Sequence, residues 1–181
     1  MTAQNPDKII YKGQEYAMHT NPMEDYFNEY PDKQPQSDIQ CTGLWRGYIA
    51  TCVIENDQLF LKNISIMIPG EHERWRYTWK NVMDEVFPSQ ELVKLDWYTG
   101  ALVLPLGEII KHVHMGYLST YEHYTLLEIK DGNLINEKHL GHEEYEAFRE
   151  KQYIQTIKTK PHIASLEDLI KKVSRSRRQR S

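Results

Sequence analysis

A chain of 181 residues, 40% hydrophobic and 27% charged, has a globular composition and lies outside the disordered and fibrous classes. A domain of this size buries roughly two-thirds of its unfolded surface, so it needs neither disulfide nor metal to fold, and no cofactor is expected. The net charge of −4 is uneven: the last eleven residues, KKVSRSRRQRS, hold six cations and no acid, leaving 16 cations against 26 acids elsewhere, so nucleic-acid contact is not expected except through the basic tail 171–181.

Residues 1–8, MTAQNPDK, carry no periodicity and read as a disordered N-terminus. IIYKGQEYAM then predicts two short strands around Lys12-Gly13, where glycine supplies the positive φ of a tight turn. NPMEDYFNEYP predicts a short helix with Asn21 as N-cap, Pro22 at the first helical position and Pro31 as terminator. The strongest strand signal is residues 41–68, two aromatic and β-branched runs flanking Asn56-Asp57. Its apolar phase slips near Lys62-Asn63, which predicts a bulge. Trp79, Val82, Met83 and Val86 stand at helical spacing before Pro88. Gly100, Pro105 and Gly107 break the next apolar stretch into short extended pieces. A third hairpin is expected around Asp131-Gly132 over 124–140, a helix after Gly141, and a last helix from Ser165 running into the basic tail.

Hairpins without βαβ alternation define the expected fold: α+β, a twisted antiparallel sheet packed by three or four helices. A single domain is expected over 9–160, with 161–181 as a C-terminal helix and tail. Cys41 and Cys52, eleven residues apart, read as reduced. There is no apolar run of about 18 residues and no leader pattern, so a cytoplasmic protein with no membrane partner is expected.

Candidate chemistry concentrates in HVHMGYLSTYEHY, residues 112–124. On a strand His112 and His114 would share one face, with His123 or Glu122 returning across a turn. The pair resembles the HxH of cupin metal sites, but Glu122 follows too far behind and the second half-motif is missing. No metal is therefore expected; His112, His114 and His123 are the weak candidates. Ser119 and Thr120 lie near these histidines, yet no GxSxG elbow or phosphate-binding glycine loop accompanies them. Catalytic residues are thus expected to be none.

In LWRGY, placed mid-strand, Trp45 is expected in the core and Arg46 on the other face, either salt-bridged or clamping an anionic ligand beside Gly47. The middle of the chain is rich in Tyr and Trp, side chains that favour recognition surfaces and near-surface cores. Ligand- or partner-binding candidates are Arg46, Tyr48, Trp97, His112, His114, Tyr117, Tyr121, Glu122 and Tyr124.

The segments LWRGYIAT (44–51), WYTGALVLPLGE (97–108) and HMGYLSTYEHYTLLEI (114–129) together resemble an uncharacterised family of small bacterial cytosolic proteins with no established activity. The resemblance implies no catalytic residue; it associates such proteins with toxin–immunity neighbourhoods. The expectation is a non-catalytic protein-binding module, an immunity-type inhibitor whose acidic body attracts a basic partner. The alternative is a small enzyme or ligand-binding protein with a His/Tyr/Glu pocket around 112–124, with or without a divalent metal.

Overall fold

The computed structural model describes residues 2–70 and 76–159, with side chains to residue 152. The strands are β1 (Asp7–Tyr11), β2 (Gln14–Met18), β3 (Tyr48–Glu55), β4 (Gln58–Pro69), β5 (Tyr77–Asn81), β6 (Val93–Lys94), β7 (Gly100–Lys111), β8 (Thr120–Lys130) and β9 (Asn133–Gly141). The α-helices are α1 (Met23–Glu29), α2 (Met83–Val86) and α3 (His142–Thr159). Everything before α3 belongs to one compact unit, and α3 opens a second. No helix among the described residues is long and apolar enough to cross a membrane.

All nine strands join one sheet, whose main path is β2-β1-β3-β4-β9-β8-β7, with β5 and β6 paired to β4. Three turns build its hairpins, and each puts both central residues at positive φ: Lys12 and Gly13, Asn56 and Asp57, Asp131 and Gly132. That is the backbone twist a two-residue hairpin needs, and Gly, Asn and Asp tolerate it best. The β3–β4 register slips between Thr51 and Cys52, which face Asn63 and Leu61 and leave Lys62 as the extra residue. The bulge thus falls where the apolar phase shift put it.

The path also curls until its ends meet. His19, just past β2, donates its backbone N–H to Val103 O of β7 at 2.8 Å. Val103 N–H returns a bond to Thr20 Oγ1 at 3.0 Å. The interior of this barrel-like sheet is filled by Ile9, Met18, Leu59, Leu61, Ile64, Leu95, Leu102 and Leu104, all almost fully buried. On the area-burial scale each such side chain contributes about 1.5–3 kcal/mol. α1 buries Met23, Tyr26 and Phe27. Phe27 meets Tyr48 edge-on at 5.2 Å, while Tyr26 packs on Phe87 at 5.1 Å and Trp97 at 4.8 Å.

The expected α+β architecture is corrected here. The fold is sheet-dominated and mixed, because β1 pairs parallel to β3. Three or four helices do not pack the sheet: α1 has seven residues and α2 has four. The helix expected through Trp79 is instead strand β5, and only Met83–Val86 are helical. Pairing with β4 overrides the helical spacing, since Met67 stands opposite Trp79 and Ile66 opposite Lys80.

β7 is also one continuous strand rather than several pieces. It pairs only with β8, so Pro105 lies on an end strand, and Gly107 absorbs a register shift between Leu106 and Ile109. Residues 41–47 are turns outside any strand. The N-terminus was expected to be disordered through residue 8, but Asp7 and Lys8 lie in β1 and Ala3 bridges to Gly116. The expected helix from Ser165 and the tail 171–181 fall outside the described residues.

Candidate functional site

Asp7 opens β1 with its carboxylate fully buried. Its Oδ1 accepts from the backbone N–H of Ala50 on β3 and from Arg46 Nη2, each at 2.8 Å. Arg46 leaves the loop before β3, where Gly47 at φ 79° redirects the chain into the strand. Only 7% of its side chain is exposed. Nη2 also donates to Asn5 O at 2.8 Å, and Nη1 donates to Tyr117 Oη at 3.2 Å. Tyr117 in turn donates to Asn21 Oδ1 at 2.9 Å. Asn21 is therefore diverted from the capping role expected of it, and Pro22 stands at the N-cap of α1.

Aromatic rings enclose the pair. The guanidinium lies 5.6 Å from the centre of the Tyr48 ring, within cation–π range. His19 stacks on Tyr117 at 4.8 Å and meets Tyr121 edge-on at 5.5 Å.

Burial sets the electrostatics. It pushes the Asp7 carboxyl up to about 6, although Arg46 and the Ala50 N–H pull it down. Burial also opposes the charge on Arg46, but Asp7 and Tyr117 outweigh it, so the guanidinium is held charged. The two directions are compatible: removal from water costs the carboxylate more than one cation returns. Asp7 Oδ2, Arg46 Nε and Tyr48 Oη have no hydrogen-bond partner, so the carboxylate is only half satisfied. Burial raises the Tyr48 hydroxyl as well. It lowers the His19 imidazole to about 4, which keeps that ring neutral at neutral pH. This enclosed pair ties the N-terminal strand to β3 and presents no nucleophile with an adjacent base.

Four of the expected site residues meet here: Arg46, Tyr48, Tyr117 and Tyr121. Tyr124 adjoins them through Tyr121, and the other four lie elsewhere. His112 and His114 lie beyond the end of β7, in the loop before β8, with ring centres 4.3 Å apart and both side chains exposed. His123 sits in β8 opposite Leu106 and Gly141. Among the described residues no group of three His, Cys, Asp or Glu could hold a metal. Glu122 accepts the backbone N–H of Glu108 at 3.0 Å and so pins the Gly107 irregularity. Ser119 Oγ accepts Val113 N–H at 3.0 Å, a loop tie rather than a nucleophile's contact. Tyr124 is buried and accepts the Tyr121 N–H at 2.9 Å. Trp97 packs on Tyr26 under α1. Because His112 and His114 are exposed and paired only with each other, a double His112→Ala/His114→Ala variant will keep its folding free energy within about 0.5 kcal/mol in urea denaturation. A larger loss would show that the pair has a structural partner.

Sequence reasoning missed Asp7, His19 and Asn21. Asp7 sits in a stretch without periodicity, and nothing local says that an acid there points inward. It also inverted Trp45 and Arg46, for Trp45 is 67% exposed while Arg46 is buried.

Two surface features adjoin this cluster. The loop over 34–47 lines a half-open cavity of about 530 Å³, to which Arg46, Trp45 and several amide and hydroxyl side chains contribute. α1, α2 and the segments that follow them carry exposed acids: Glu24, Asp25, Glu29 and Asp32, then Asp84, Glu85, Glu91 and Asp96. The Tyr26 contacts to Phe87 and Trp97 hold the two helices together. Comparison with protein-family models, with curated proteins and with solved structures gives no match to this chain.

Proposed function

We propose that this chain is a non-catalytic protein-binding module that engages a basic partner through its acidic end, as an immunity-type inhibitor of a toxin or effector would. The observation that carries the reading is the acidic surface shared by α1 and α2. α1 turns Tyr26 and Phe27 inward and leaves Glu24, Asp25 and Glu29 facing water. At least three cations border the surface: Lys33 folds back over the Tyr26 and Tyr30 rings, Lys80 is held by Glu85 at 2.6 Å, and exposed Lys62 lines a depression with Asp84 and Glu91. Tyr30, 40% exposed, adds an aromatic contact of the kind enriched at interfaces. A surface of one sign raises the encounter rate with an oppositely charged protein and weakens as salt screens it.

The test is charge reversal on the full chain. Asp25→Lys with Glu29→Lys should slow association with a partner captured from the native cytosol by roughly tenfold or more, and added salt should mimic that loss. Both positions are exposed, so melting should barely change. Capture that ignores both charge reversal and salt would remove the acidic surface from the account.

A further inference from the structure

The geometry points to a binding site for a neutral saccharide in the cavity of the 34–47 loop, a site separate from the acidic end. At about 530 Å³ the cavity falls within the range of small-molecule sites. Its walls are held by contacts independent of any ligand. Gln34 Nε2 donates to Arg46 O at 3.1 Å, and Ser37 Oγ donates to Met67 O of β4 at 2.8 Å. From the N-terminal segment, Gln4 Oε1 accepts Trp45 N–H at 3.0 Å while its Nε2 donates to Thr42 O at 2.9 Å. The Arg46–Asp7 pair anchors the end of the loop at 2.8 Å. Binding therefore need not order the loop first, which keeps its entropic cost low.

The chemistry of the lining selects the ligand. Among the described residues no carboxylate lines the cavity, and the lone Cys41 thiol does not make a cation site. Among the described residues its one charged side chain is Arg46, whose charge is opposed by Asp7 at 2.8 Å although its Nε has no partner, so an anion would compete with a carboxylate already in place. The exposed side chains of Gln36, Gln40 and Thr42 rim the cavity with amide and hydroxyl groups, of which Gln36 Nε2 already donates to Gln34 O at 3.3 Å. These groups offer neutral donors and acceptors side by side, the pattern that matches a ring of hydroxyls. Trp45 adds a large exposed ring against which the C–H face of a pyranose can lie. A neutral sugar uses all of these groups together.

The test is ligand-observed NMR on the full chain with glucose, galactose, N-acetylglucosamine and maltose, alongside glucose 6-phosphate and adenosine. At least one neutral sugar should bind, and Trp45→Ala should weaken it roughly tenfold. Gln40→Ala should weaken it several-fold, while Trp45→Phe should restore most of the affinity lost in the Ala variant. Both side chains are exposed, so the variants should melt like the parent. The proposal is overturned if no neutral sugar binds at about 10 mM. It is equally overturned if only glucose 6-phosphate or adenosine binds, or if binding survives loss of the Trp45 ring.

Discussion

Replacing Arg46 by Met will cost about 2–3 kcal/mol of folding stability at pH 7, and the loss will shrink as the pH falls toward about 5. The reason is the carboxylate left behind. Asp7 is fully buried, and among the described residues Arg46 supplies its compensating cation in a hydrogen bond of 2.8 Å. With Arg46 in place burial already lifts the Asp7 pKa from 3.8 to about 6. The folded chain therefore holds this proton more tightly than the unfolded one. Its contribution to stability is fully present below 3.8 and is lost as pH rises through 6, a difference on the order of 3 kcal/mol.

Without Arg46 the folded pKa rises further, so the variant suffers most where Asp7 must ionise and least where it is protonated. Below that range a floor of about 1–2 kcal/mol remains from the lost bonds to Asn5 and Tyr117. Asp7→Asn, which keeps an acceptor for the Ala50 N–H, should flatten the profile between pH of about 4 and 6. Urea denaturation across this range reads both effects. An equal loss for the Arg46 variant at both ends would assign its role to packing instead of charge.

This ion pair also shows where sequence reading stops. Turn chemistry is local, so Lys12-Gly13, Asn56-Asp57 and Asp131-Gly132 announced their hairpins, and the phase slip at Lys62 announced its bulge. Alternation across LWRGY assumed that residues 41–68 were strand from the start. Turns at 42–43 and 45–46 change what each side chain faces, and Arg46 goes inward to an acid 39 residues earlier in the chain. Nothing near Asp7 in sequence could disclose that partner. The parallel β1–β3 pairing and the meeting of β2 with β7 are likewise long-range facts. Propensity also misled at Trp79, because helical spacing over a few residues does not distinguish a strand that pairs with β4. In the site, the tyrosines and Arg46 were legible as residue types suited to a polar cluster. His112 and His114 were legible only as neighbours, and their exposure depends on where β7 ends.

The second large effect lies at the join between β4 and β9 within the sheet. Gly132→Ala should destabilise the fold by about 3 kcal/mol or more, while Gly13→Ala should cost only about 1 kcal/mol. Both glycines follow a residue at positive φ in a hairpin turn, at 70° and 79°, so the conformational penalty is shared. Their surroundings differ. A Cβ on Gly13 would meet nothing within 4 Å, whereas one on Gly132 would sit 2.7 Å from Leu95 O and 3.0 Å from Asp96 Cα. These are backbone atoms, and the Leu95 side chain is fully buried, so they cannot swing aside.

The tip of the β8–β9 hairpin is wedged there by its own bonds. Gly132 N–H donates to Tyr98 O at 3.0 Å, and Gly132 O accepts Leu59 N–H at 2.9 Å. Leu134 N–H reaches Asp57 O at 2.8 Å beside the single ladder pair, Gln58 with Asn133, that joins β4 to β9. Displacing the tip therefore opens the join through which the two halves of the sheet share one interior. Chemical denaturation of the two variants side by side decides the matter. Equal losses would mean that the tip has room to move and that this join does not hold the two halves of the sheet together.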